Sequence, residues 1–139
     1  MFQCIFLGWC TCRENKTGSS GFVSSPNYPS NYSNNEDCLW IITVPVGYKA
    51  QLTFFYFDTE EIFDEVYIFD GPNQNSPFFG AYSGKGIPQV HTSSGRSMLI
   101  KFVSDHSIVS KGFYAKYDAV STGMTCFGAL KKFHKLTIN

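Results

Sequence analysis

Six carboxylates crowd into the fifteen residues from Phe57 to Gly71: Asp58, Glu60, Glu61, Asp64, Glu65 and Asp70, with no Lys or Arg among them. Like charges about 4 Å apart repel by roughly 4 kcal/mol at an intermediate effective dielectric. Acids that converge therefore need a cation or a water-filled rim, and the stretch alone leaves both readings open. No comparable cluster occurs elsewhere. His91, His106 and His134 are scattered, and His106 reads as an exposed loop histidine. No Ser sits in a Gly-x-Ser-x-Gly nucleophile motif, and Ser83-Gly84-Lys85-Gly86 reads as a turn, not a phosphate loop. The absence of a Cys-x-x-Cys pair argues against a structural zinc site.

Strands must position the acids. AQLTFFYF precedes them, with Leu52, Phe54 and Tyr56 expected on one face and Gln51, Thr53 and Phe55 on the other. Val66 and Ile68 carry a second strand through the acidic stretch itself. LWIITV after Cys38, the short FFGAY, SMLIKFVSD with Met98, Ile100 and Phe102 inward, and GFYAKYD with Phe113, Ala115 and Tyr117 inward follow the same pattern. Clusters of Gly, Pro, Asn and Ser separate them, which indicates an all-β sandwich. RENKTGSSG reads as a polar connection and GFVSSPNYPSNYSNN as a chain of turns.

A chain of 139 residues is one domain's worth. Its formal net charge is zero, but residues 1–130 hold eight basic and eleven acidic groups, a net −3, because Lys131, Lys132 and Lys135 lie in the tail. The missing basic stripe argues against nucleic acid as a partner. No run of 18 apolar residues exists, so no transmembrane segment is expected. The opening MFQCIFLGWC reads as a signal remnant, an alternative start or an apolar strand. The sequons at Asn15 and Asn31 lie in turn-like polar sequence and, with five cysteines, fit a secreted, glycosylated protein.

Ordered along the chain stand Cys12, then Ser25-Pro26-Asn27-Tyr28-Pro29, Cys38-Leu39-Trp40, Pro45-Val46-Gly47-Tyr48 and Phe57-Asp58-Thr59-Glu60. Phe63-Asp64-Glu65-Val66-Tyr67-Ile68-Phe69-Asp70-Gly71, Phe102-Val103-Ser104-Asp105 and Gly112-Phe113-Tyr114-Ala115-Lys116-Tyr117 complete the set. With these pieces the chain resembles a CUB domain over about residues 12–118. The domain is set at 12–119, after an apolar segment (1–11) and before a tail without clear fold (120–139). The resemblance implies a jelly-roll-like sandwich of two antiparallel sheets. It also implies an extracellular, non-enzymatic interaction module, standing alone or as a fragment of a longer protein.

The resemblance also assigns residues. Cys12 pairs with Cys38, while Cys4 and Cys10 pair with each other or leave with a leader, and Cys126 lacks an obvious partner. The family's second disulfide is missing: Glu61 and Ser83 stand at its two positions, and the Glu60–Asp64 loop is about four residues shorter than in many relatives. For Ca²⁺, the implied ligands are Glu60, Asp64, Asp105 and the carbonyl of Ser107, with Glu61 as an alternative ligand and the Tyr32 hydroxyl steadying the acids. Ile108 stands where relatives often place Asn. The implied partner is an extracellular protein presenting Lys or Arg, contacted by Tyr32, Glu60 and Asp105. The alternative is a spermadhesin-like glycan binder, with Tyr67 or Phe69 stacking on sugar.

Overall fold

The computed structural model describes residues 2–5 and 9–121, with side chains from Cys12 onward. Ten strands lie among these residues: β1 (Phe2–Ile5), β2 (Trp9–Thr17), β3 (Ser20–Ser24), β4 (Glu36–Thr43) and β5 (Tyr48–Asp58) in the first half. β6 (Glu65–Phe69), β7 (Phe78–Tyr82), β8 (His91–Thr92), β9 (Ser97–Val103) and β10 (Gly112–Ser121) follow. They form a six-stranded sheet, β1-β2-β4-β9-β6-β7, and a four-stranded sheet, β3-β10-β5-β8. The all-β sandwich expected from the sequence is the observed fold. One pairing departs from the antiparallel rule: β2 runs parallel to β4, with Cys12 opposite Cys38.

Parts of the two segments read as polar connection and turns are strands, residues 13–17 in β2 and Ser20–Ser24 in β3, while residues 25–35 are turns as expected. β2 exposes Arg13, Glu14 and Asn15, and β3 buries only Val23. Neither therefore shows an apolar alternation, and backbone pairing with β4 and β10 holds them. Asn15 thus lies exposed on a strand, not in a turn, while Asn31 is exposed in the loop before Tyr32.

On β5 the inward face changes midway. Leu52 and Phe54 are buried as expected, but Phe57 takes the next core position in place of Tyr56. The cause is a bulge against β10: Tyr114 pairs with Tyr56 and Ala115 with Phe54, which leaves Phe55 unpaired and half exposed. A bulge adds one residue and reverses the alternation beyond it.

The core is aromatic, with Phe113 at its hub. Its ring meets Trp40 at 5.7 Å and Phe102 at 5.6 Å, both edge-on. Such pairs contribute about 0.5–1.5 kcal/mol each beyond area burial. Gly112, just before it, has φ +88°, and a Cβ there would fall 1.8 Å from Ser25 Oγ. Only glycine fits, because that hydroxyl accepts the Phe113 N–H at 3.0 Å and ties the loop after β3 to β10. The core reaches one end of the sandwich through Tyr32, whose ring stands edge-on to Phe102 at 5.0 Å.

The side chains of Cys4 and Cys10 lie outside the described residues, although the backbone sets the two opposite each other across β1 and β2. Cys126 and the tail from residue 122 also lie outside them.

Candidate metal centre

The acidic stretch forms the turn from β5 to β6. Thr59 organises it: its N–H donates to the Gly84 carbonyl (3.0 Å), its hydroxyl accepts the Gly84 N–H (3.1 Å) and donates to the Asp64 carbonyl (2.9 Å). The Asp64 N–H closes the turn on the Glu60 carbonyl at 3.1 Å, with Ile62 at its middle in the left-handed region, φ +76°. The Ile62 N–H donates to Ser83 Oγ at 2.8 Å. Ser83, at one position of the family's missing second disulfide, thus makes a hydrogen-bonded latch to Ile62, the residue after Glu61 at the other. Sequence reading missed the latch, although Ser83 and Thr59 are the two hydroxyls beside the vacated positions.

Asp105 arrives from the loop after β9. Ser104 fixes that loop to the start of β4, since its N–H donates to the Glu36 carbonyl and its Oγ accepts the Glu36 N–H at 2.8 Å. The Asp105 N–H donates to Asp64 Oδ1 at 2.8 Å, and the Ser107 N–H donates to Asp105 Oδ1 at 3.1 Å. Tyr32 ties that turn to the loop after β9: its hydroxyl donates to Asp64 Oδ2 at 2.6 Å and accepts the Glu60 N–H at 3.1 Å, while its own N–H donates to the Ser110 carbonyl at 3.1 Å.

The result is a cluster in which carboxylate oxygens of Glu60, Asp64 and Asp105 all lie within 4.8 Å of one another. Asp64 is fully buried with both oxygens hydrogen-bonded. Glu60 differs, because its Oε2 is buried without any hydrogen-bond partner. Among the described residues, ion pairs form only between Lys16 and Glu14 and between Lys116 and Asp118, away from these acids. Ser107 is brought beside Asp105. Glu61 is not among the converging carboxylates; it is exposed and lies along Gly84.

The electrostatics agree with this geometry. Desolvation, then the facing Asp105 and Asp64 charges, raise the Glu60 carboxyl above its usual range. Burial also raises Asp64, against the opposing pull of the Tyr32 and Asp105 hydrogen bonds. Burial, followed by the bond to Asp64, holds the Tyr32 phenol far above its ordinary value, so it stays a donor at physiological pH. Oxygen donors from separate loops, one of them buried and unpartnered, with no Lys or Arg among the described residues paired to them, suit a hard divalent cation.

Elsewhere, Cys12, Glu36 and Cys38 also converge, but the two sulfurs form a disulfide. Tyr67 and Phe69, the residues offered to a sugar, lie on the outer face of the six-stranded sheet beside Phe78, and the Tyr67 hydroxyl donates to Glu65. A larger surface aromatic group, unforeseen from sequence, lies on the other sheet: Phe22 and Tyr28 each stack on Tyr114, at 5.4 and 5.5 Å. No helix among the described residues is long and apolar enough to cross a membrane.

Comparison with known proteins gives this arrangement a context. Tolloid-like protein 1 of Mus musculus is 34% identical over 124 residues, covering 86% of this chain and 12% of that protein. Neuropilin-1 of Homo sapiens is 38% identical over 116 residues, covering 80% of this chain and 13% of that protein. The chain thus spans a small fraction of the relatives it matches. Among solved structures, the CUB1-EGF-CUB2 region of human MASP-1/3 matches with TM-score 0.74 at 26% identity, covering 86% of this chain and 47% of that one. The MASP-1 CUB2 domain, solved bound to Ca²⁺, matches with TM-score 0.68 at 26% identity, covering 76% of this chain and 97% of that one. CUB domains of this kind are interaction modules of extracellular proteins, not catalytic domains. The family model for the CUB domain matches residues 12–117, the span that holds the disulfide, the aromatic core and all three acids, and the chain belongs to the CUB family.

Proposed function

We propose that the chain is an extracellular, Ca²⁺-dependent protein-interaction module. Glu60, Asp64 and Asp105 would hold the ion, with the Ser107 carbonyl and water completing its oxygen shell. The observation that carries this reading is Glu60 Oε2, buried and unpartnered beside two other carboxylates. Such an atom costs free energy in a metal-free protein and becomes a ligand when a cation arrives. The ion would fix the carboxylates while outward lone pairs accept charge-assisted hydrogen bonds from a partner's Lys or Arg. Tyr32, expected to touch the partner as well, is buried at 1% exposure and serves this recognition only by holding Asp64 and Glu60 in place.

The test is thermal unfolding with millimolar Ca²⁺ and with chelator, across pH. At pH 7, Ca²⁺ about a hundredfold above its Kd is expected to raise the midpoint by on the order of 10 °C. Protons compete with the ion for ionised carboxylates. Because Glu60 and Asp64 hold protons more tightly than ordinary acids when metal-free, the increment is complete above their raised pKa values. It shrinks as pH falls through them. A zero increment at pH 7, or one that grows on acidification, would contradict the reading.

A further inference from the structure

Among the scattered histidines, His91 alone is shown buried, at 4% exposure, and it stands where the edges of the two sheets meet. It belongs to β8, the edge strand of the four-stranded sheet, opposite Leu52 of β5. The Ser93 N–H fastens the end of that strand to the Ala50 carbonyl at 2.8 Å. The Nε2 of His91 lies 2.7 Å from the hydroxyl of Tyr82, which belongs to β7, the edge strand of the other sheet, opposite Val66 of β6. The Phe79 ring of β7 lies 5.0 Å from the imidazole. β7 and β8 share no backbone pairing, so this side-chain bond links one sheet to the other.

Tyr82 leads directly into the contacts that shape the acidic turn. Ser83 Oγ accepts the Ile62 N–H at 2.8 Å, and Gly84 exchanges two hydrogen bonds with Thr59, at 3.0 and 3.1 Å. No carboxylate is bonded to the His91 ring; Tyr82 is the titratable group in contact with it. β7 carries no charged residue, and β8 none besides His91. The charged residues of β5, Lys49 and Asp58, stand apart from Leu52, at its two ends. On β6, Glu65 takes the Tyr67 hydroxyl. In the flanking loops Asp70 accepts the Ser94 N–H, Arg96 Nε donates to the Val44 carbonyl, and Lys85 is exposed. Burial alone therefore acts on the ring, and it lowers the His91 pKa from its ordinary value.

We infer that His91 and Tyr82 form an acid-sensitive clasp between the two sheets: the neutral imidazole holds the β7 edge against β8, and its protonation parts the edges and slackens the acidic turn. The sign follows from linkage. An unfolded chain takes up the His91 proton near the ordinary value of about 6.5, before the folded chain does, so stability is complete above that pH and falls as pH drops below it. Glu60 and Asp64, whose carboxyls are raised, act in the opposite direction, and a variant at 91 retains them.

The test compares the full chain with His91→Gln, a polar side chain that takes no proton, in chelator. Between about pH 7.5 and about pH 5.5 the unfolding constant of the wild type is expected to rise at least about fivefold more than that of the variant. Over the same interval hydrogen-exchange protection of the Thr59 N–H is expected to drop at least about threefold more in the wild type. Equal pH dependence of the two unfolding constants would overturn the clasp, and unchanged Thr59 protection would overturn its link to the acidic turn. An NMR titration of His91 in the folded wild type needs no variant. A midpoint at or above the ordinary value of about 6.5 would overturn the proposal.

Discussion

Replacing Asp64 with alanine is expected to lower stability by about 4 kcal/mol and to abolish Ca²⁺ binding. Asp64 is fully buried and accepts the Tyr32 hydroxyl at one oxygen and the Asp105 N–H at the other. Truncation leaves both donors without partners at a position sealed from water, and it frees the loop after β9 from the turn after β5. Asp64→Asn separates structure from metal binding. Its carbonyl oxygen still accepts the Asp105 N–H, so the expected loss is about 1–2 kcal/mol, whereas the missing charge removes Ca²⁺ binding. Urea unfolding of both variants in chelator, with Ca²⁺ titrations alongside, checks this. Equal stability of the alanine variant and wild type would show that the network does not hold the site.

The second large effect belongs to the bridge between Cys12 and Cys38. Substituting serine at both positions is expected to cost about 3.5 kcal/mol, from a loop closed over a separation of 26 residues. The corresponding midpoint shift is on the order of 15 °C. β2 is vulnerable because it contributes a polar, largely exposed surface and is otherwise held to β4 by parallel backbone pairing. With no disulfide between positions 61 and 83, the bonds of Ile62 to Ser83 and of Gly84 to Thr59 tie the acidic turn instead. A loss below about 1 kcal/mol would mean that backbone pairing alone holds β2. Alkylation of either cysteine before reduction would refute the pairing itself.

Legibility in the sequence followed burial. Strands with a buried face announced themselves: Met98, Ile100 and Phe102 on β9, and Phe113, Ala115 and Tyr117 on β10, all point into the core as their alternation indicates. β2 and β3 did not, since exposed strands lack the apolar period that marks a strand. The bulge at Phe55 was also hidden, because β5 is aromatic on both faces and the period alone cannot place the slip. The three acids were named from motif positions, and the folded chain brings their carboxylates together. What no motif supplied was the backbone around them: the turn through Ile62 and the latch to Ser83. These depend on φ angles and contacts between loops far apart in sequence.

Whether Glu60, Asp64 and Asp105 together hold Ca²⁺, as proposed, is decided by titration calorimetry of Ca²⁺ into the metal-free chain. The wild type is expected to bind one Ca²⁺ ion per chain with saturable heat, and Asp105→Ala, which keeps the Tyr32–Asp64 bond, is expected to give none. Absence of heat and of any thermal shift in the wild type at millimolar Ca²⁺, or undiminished binding in Asp105→Ala, would contradict the account.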